Sequence, residues 1–400
     1  METLEIYGFQ KRVFETDPSY SQIPVKDYED LPYDIFFEEF MSSNSPVIIK
    51  NICNEWDSSK HWVENEKINY DYFITNYGEF EAPVADCNKI NFNAQCKCDM
   101  KIKEYMKYLK KENKNQVLYL KDWHLKAILQ KENLAYNFYK VPKCFASDWL
   151  NEYAEDMQED DFRFVYIGPK DSWTPLHADV YSSYSWSVNV VGRKKWILFP
   201  PGEEEKLKDP LGNLPLLFNA KDHKNIKYFK VIQEKGDAIF VPSGWYHQVF
   251  NLYDTISVNH NFINSCNIEK VWVALQKNLD DVEKEIAEFK DSPEFVSQCQ
   301  VILKSLFGMD MQFFVTFIIY IAKKRLNQIY GKKFIVFNDY TFGNNHITLD
   351  LKIILKILKY IGDHPLITSK ILSNELISQH HDIIKKIFEI TKEDKIFSID

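Results

Sequence analysis

The feature that most constrains this chain is a series of short β-branched and aromatic runs between residues 117 and 263, punctuated by Gly and Pro. They are VLYLKDW (117–123), FRFVYIGP (162–169), YSWSVNVVG (184–192), KKWILFPP (194–201), YFKVIQ (228–233), DAIFVPSGW (237–245) and QVFNLYDTISVNHNFI (248–263). Short strands spaced by turn residues specify an antiparallel sandwich or barrel. Upstream, residues 20–80 alternate helical and extended signals, from DLPYDIFFEEFM to the short strand PVIIKNI. In DMKIKEYMKYLKKENK, Ile102, Tyr105, Met106 and Leu109 recur at helical spacing, with lysines on the other face. Beyond Cys266 the periodicity is helical, apart from FIVF at 334–337. The expected architecture is a mainly β core with flanking helices: a mixed lead-in over 1–115, the β core over 116–265 and a helical region over 266–400.

A chain of 400 residues exceeds the roughly 250–300 at which single cores stop growing, so a second unit is expected. With 45% apolar and 15% aromatic residues it is neither mainly disordered nor collagen-like. A formal charge of −9 argues against a surface built to neutralise phosphates, so no direct nucleic-acid contact is expected, although a local basic stripe can hide inside that total. The longest apolar stretch, Phe313 to Ala322, falls short of the ~20 residues of a bilayer span and reads as a buried helix, so no membrane partner is expected. The charged start METLEIYGFQKRVFE lacks the apolar run of a secretory signal, which places the protein in the cytoplasm or nucleus as an expectation. Seven cysteines without paired Cys-x-x-Cys motifs read as free thiols.

The chemistry centres on His177-Ala178-Asp179 in TPLHADVYSS and on His247 in PSGWYHQVFNL. On an extended chain, residues two apart face the same way, so His177 and Asp179 reach into one cavity. A histidine from a distant strand then completes three corners of an octahedron. Two imidazoles and a carboxylate suit ferrous iron, leaving positions open for a bidentate 2-oxo acid and dioxygen. H-x-D alone arises often by chance; its place at the entry to a strand series, matched by a second strand histidine, raises it above that. His61, His124, His223, His346, His364, His380 and His381 lack such company and read as structural or exposed, and His260 as packing. The far carboxylate of a 2-oxo acid needs a cation in a dry cavity. Lys194 and Lys195 face opposite sides of one strand, so one at most points inward, and periodicity does not choose between them.

FRFVYIGPKDSWTPLHADVYSSYSWSVNVVGRKKWILFPPGEEE, together with GDAIFVPSGWYHQVFNLYDTISVNHNF, resembles the jumonji-C family of 2-oxoglutarate oxygenases across about residues 115–265. The resemblance implies a double-stranded β-helix, the jelly-roll of the cupins, with His177, Asp179 and His247 holding Fe(II), and 2-oxoglutarate and O2 as co-substrates. It assigns the co-substrate lysine to Lys194, two residues after Gly192, and matches Thr174 and Tyr119 to hydroxyl groups on the same carboxylate. Several relatives carry asparagine where this chain has Ser187, with Asn189 one alternation further on, and some carry threonine where it has Asn259. Both positions stay polar and join the expected co-substrate set.

YLKDWHL, SDWLNEY and GRKKWILFPPGEE further resemble a branch of that family that hydroxylates a lysine side chain of the translation termination factor. A protein hydroxylase with that protein substrate is therefore the leading expectation. A histone Nε-methyl-lysine demethylase is the alternative, disfavoured by the lack of zinc-type cysteine pairs and of a basic tail. A non-catalytic cupin scaffold is the second alternative, disfavoured by retention of His177, Asp179, His247 and Lys194 together. Among the aromatics, Tyr181 and Tyr184 are expected to line the entrance, because they follow the metal motif closely. Oligomeric state is left open by the sequence.

Overall fold

In the strand TISVNHNF (255–262) the alternation runs in an unusual sense. Ile256, Val258 and Phe262 join the large apolar cluster under the flanking helices, while Ser257, Asn259 and Asn261 take the opposite face. Period-two geometry sends alternate side chains to opposite faces of a sheet. Here the polar face is the interior of a barrel and the apolar face is its helix-covered outside.

The computed structural model describes residues 1–7, 22–92, 94–223, 225–331, 336–365 and 371–391. Thirteen strands form its two main sheets: β1 (Val25–Asp27), β2 (Val47–Lys50), β3 (Glu81–Asn91), β4 (Ala94–Lys101), β5 (Leu118–Trp123), β6 (Arg163–Gly168), β7 (Trp173–His177), β8 (Tyr184–Val191), β9 (Lys194–Phe199), β10 (Phe229–Gln233), β11 (Ala238–Val241), β12 (Tyr246–Asn251) and β13 (Thr255–Phe262). The larger sheet runs β1-β2-β11-β8-β13-β6-β5-β3-β4, and the smaller runs β7-β12-β9-β10. All these pairings are antiparallel except β1 with β2. From β6 to β13 the chain crosses between the sheets at almost every connection, which closes a double-stranded β-helix of the cupin kind. The tight turn from β8 to β9 needs Gly192: its φ is +83°, and a Cβ there would lie 2.2 Å from the Asp254 carbonyl oxygen.

Helices clothe the larger sheet. α1 (Ile102–Leu109) buries Ile102, Tyr105, Met106 and Leu109, the stripe expected from its spacing. α2 (Trp149–Met157), capped by the Asp148 carboxylate on the Asn151 amide, leads into β6. Among the described residues, five α-helices follow the barrel: α3 (Ile268–Glu285), α4 (Phe295–Phe307), α5 (Met311–Ile329), α6 (Asn344–Asp363) and α7 (Asn374–Thr391). The Phe313–Ala322 stretch lies within α5, whose Phe314, Phe317, Ile318 and Ile321 are buried; no single helix among the described residues is long and apolar enough to cross a membrane. Each such side chain contributes on the order of 1.5–3 kcal/mol by burial. The apolar cluster runs without a break from the barrel's outer face into these helices.

A buried ion network ties α5 to α2. The Arg325 guanidinium grips the Glu152 carboxylate with Nη1 and Nη2 at 3.1 and 2.9 Å, and its Nε donates to Asp350 of α6 at 2.8 Å. Of the FIVF run, residues 334 and 335 lie outside the described set, and Val336–Phe337 pairs with Tyr340–Phe342. All seven cysteines are free thiols in the structure.

Candidate active site

The eight residues singled out in the sequence, Tyr119, Thr174, His177, Asp179, Ser187, Lys194, His247 and Asn259, line one cavity of about 60 Å³ between the two sheets. β7 and β12 pair so that His177 and His247 stand directly opposite, with ring centroids 4.3 Å apart. Asp179 follows β7 by two residues. One ligand atom from each of the three lies within 4.8 Å of the other two.

The shell around these groups sets their chemistry. His177 Nδ1 is 2.8 Å from the Pro175 carbonyl oxygen, and His247 Nδ1 is 3.1 Å from that of Trp245. A carbonyl only accepts, so each Nδ1 carries the proton and each Nε2 keeps its lone pair for a metal. Burial, followed by the neighbouring His247 ring, holds the His177 imidazole well below its ordinary range and so in the neutral form a metal requires. The Ser185 hydroxyl donates to Asp179 Oδ2 at 2.6 Å and fixes the carboxylate.

Across the cavity, Lys194 is 2% exposed and points inward from β9. Lys195 faces the other way, its ammonium 4.3 Å from the Phe250 ring centroid. Lys194 Nζ donates to Ser257 Oγ at 2.6 Å, and among the described residues no carboxylate pairs with it. Burial alone pushes its pKa down to about 7. Nearby, the Ser187 hydroxyl is buried without a hydrogen-bond partner. A buried ammonium with spare donors beside an unsatisfied hydroxyl fits an anionic ligand, because leaving such groups unpaired costs several kcal/mol. Thr174 and the buried Tyr119 complete the wall, and Asn259 donates to the Ser257 hydroxyl at 3.2 Å.

Asn189 does not join this set: it donates to the Gly192 carbonyl at 2.9 Å and braces the β8–β9 turn. The expectation for Tyr181 and Tyr184 is corrected. Tyr184 is fully buried, donates to the Met41 carbonyl at 2.6 Å and packs on Phe240 and Phe262, on the face of β8 opposite Ser185. Tyr181 packs on Phe162 and Phe307 and reaches the Gly308 carbonyl, away from the cavity wall. Sequence proximity misled here because a turn over Val180–Ser182 carries Tyr181 within it and separates Tyr184 from the ligands. His260 packs, stacked on Trp186 at 4.0 Å and bonded to Tyr139. Ser185 and Asn261, which line the cavity, and Ser257, which reaches it through Lys194, were missed; the period-two polar rows Ser185-x-Ser187 and Ser257-x-Asn259-x-Asn261 are the signal that marks them.

Such a barrel, with polar rows turned inward, defines the cupin-like class, and the family model described as a cupin-like domain matches residues 32–268. The chain is 40% identical over 397 residues to the 2-oxoglutarate and iron-dependent oxygenase JMJD4 homolog of Drosophila melanogaster, covering 89% of this chain and 92% of that one. It is 44% identical over 317 residues to 2-oxoglutarate and iron-dependent oxygenase JMJD4 of Danio rerio, covering 74% of each chain. It is also 39% identical over 316 residues to arginine-specific demethylase JMJ20 of Arabidopsis thaliana, covering 72% of this chain and 68% of that one. The chain therefore belongs to the jumonji-C family of cupin-like proteins, among the relatives of JMJD4.

Proposed function

We propose that this protein is an Fe(II)- and 2-oxoglutarate-dependent hydroxylase that modifies a lysine side-chain carbon of the translation termination factor, in the cytoplasm. One observation carries the oxygenase reading: three ligand atoms within 4.8 Å of one another share a cavity with the unpaired Lys194 ammonium. The donor set suits ferrous iron, and the lysine suits the distal carboxylate of a 2-oxo acid. The names of the JMJD4 relatives agree with both.

When bound, ferrous iron lets dioxygen oxidise 2-oxoglutarate to succinate and carbon dioxide while the second oxygen atom enters a substrate C–H bond. The chain's own contribution is geometric and electrostatic. The carbonyls of Pro175 and Trp245 lock both imidazoles with Nε2 forward, and Ser185 holds the Asp179 carboxylate. Lys194, Ser257 and Ser187 hold the co-substrate at its far end, while Trp196 and Val249 keep that end dry.

Mass spectrometry of intact termination factor after incubation with enzyme, Fe(II), 2-oxoglutarate and oxygen tests the reading. One added oxygen atom on a mapped lysine is expected; unmodified protein despite succinate formation would exclude this substrate. The demethylase name of the Arabidopsis relative motivates a second reading on methylated peptides. Formaldehyde release from methylated but not unmethylated peptides would favour it.

A further inference from the structure

A second cavity, of about 360 Å³, adjoins the first and shares Thr174 and His177 with it. Its rim includes Ala94 and Lys97, both exposed, so it opens to the surface. One wall is the apolar segment Leu214-Pro215-Leu216; the facing wall holds Lys121 and Gln95. Lys121 follows Tyr119 by two residues on β5, so both project from one face.

Lys121 is 7% exposed. Its Nζ donates to Gln95 Oε1 at 2.8 Å, and the Gln95 amide nitrogen donates to the Trp173 carbonyl at 3.2 Å, which fixes the amide with its oxygen toward the lysine. The adjacent carboxylate, Asp122, is occupied elsewhere: Lys97 binds one oxygen at 2.6 Å and the Tyr166 hydroxyl the other at 2.7 Å. An ammonium has three donors; this one spends one on a neutral amide and otherwise lies over the Tyr119 ring, 5.7 Å from its centroid, with no carboxylate bonded to it among the described residues. Burial pulls its pKa down to about 8, against the opposing charge of nearby Asp122. Lys194 already faces the co-substrate end of the first cavity, so Lys121 is a second buried cation, on the side open to a macromolecule.

We propose that this cleft is a docking subsite in which Lys121 receives a carboxylate of the protein substrate, an Asp or Glu side chain lying close to the residue presented to the metal. The proposal rests on the reading of this protein as a protein-modifying oxygenase. Leu214, Pro215 and Leu216 take the aliphatic part of the segment, and the ammonium supplies charge-assisted hydrogen bonds to its carboxylate.

The test is selection from a displayed library of randomised peptides, panned against the full chain loaded with manganese(II) and 2-oxoglutarate. The wild type enriches Asp or Glu at one position by about tenfold or more; Lys121→Met loses that preference, and Lys121→Glu turns it toward Lys or Arg. Lys121→Gln, which keeps a donor for Gln95 without the charge, guards against loss of fold and also loses the preference. Absence of acidic enrichment in the wild type, or equal enrichment in Lys121→Gln, overturns the proposal. Acidic selection by a protein that leaves the termination factor unmodified would retire that substrate and keep the subsite.

Discussion

Replacing Lys194 by methionine sets stability against ligand binding, and the structure assigns a sign to each. The ammonium has an ordinary pKa of 10.5 and is pushed to about 7 by burial. Between those pH values the unfolded chain binds a proton that the folded chain lacks, so stability rises with pH through the window and the full penalty applies below about pH 7. At about 1.4 kcal/mol per unit the window is worth up to roughly 5 kcal/mol. Methionine fills similar space without charge, so the ligand-free variant should be more stable than wild type near neutrality by about 1–4 kcal/mol. Its melting temperature should also lose the rise between pH 7 and 10. Affinity for 2-oxoglutarate moves the other way. Removing one partner of a buried charge pair costs roughly 2–5 kcal/mol, or about 30- to 5,000-fold in Kd. Calorimetric melting across pH, paired with isothermal titration of 2-oxoglutarate in the presence of manganese(II), reads both quantities. A variant that melts lower than wild type at pH 7, or binds 2-oxoglutarate equally well, would refute the reasoning.

Three further outcomes follow from particular contacts. Ser185→Ala frees the Asp179 carboxylate and should weaken metal affinity about 10- to 100-fold in a competition titration, with little change in melting temperature. Gly192→Ala forces a Cβ against the Asp254 carbonyl at positive φ and should cost roughly 2–3 kcal/mol in denaturant unfolding. Arg325→Met strands the buried carboxylate of Asp350 and leaves Glu152 to Lys324, and should cost about 3–5 kcal/mol by the same measurement, whereas Arg193→Met, at an exposed pair with Glu234, should cost under about 1 kcal/mol.

The barrel was legible because seven of its runs are dense in β-branched and aromatic residues, and β5, β6, β8, β9, β10, β11 and β13 fall within them. The β3–β4 hairpin was not. Its second strand carries Cys96, Lys97, Cys98 and Asp99 in exposed positions and shows no apolar alternation, since it is held by the ladder to β3 and not by burial. β7 was hidden for another reason: Pro175 and a bulge between Thr174 and His177 break its pattern. The choice between Lys194 and Lys195 could not be made from alternation alone; it depends on which face of β9 meets β13, a long-range fact expressed in the contact with Ser257. Lys121 gave no signal at all, because only the arrival of Gln95 from the β3–β4 hairpin turns it into a buried cation.

Metal content tests the central claim most directly. Wild-type protein equilibrated anaerobically with Fe(II) and freed of excess should carry one ferrous ion per chain. Asp179→Ala should keep its melting behaviour and lose both the ion and metal-dependent 2-oxoglutarate binding. Full iron occupancy in a folded Asp179→Ala protein would contradict the assignment of His177, Asp179 and His247 as the metal site.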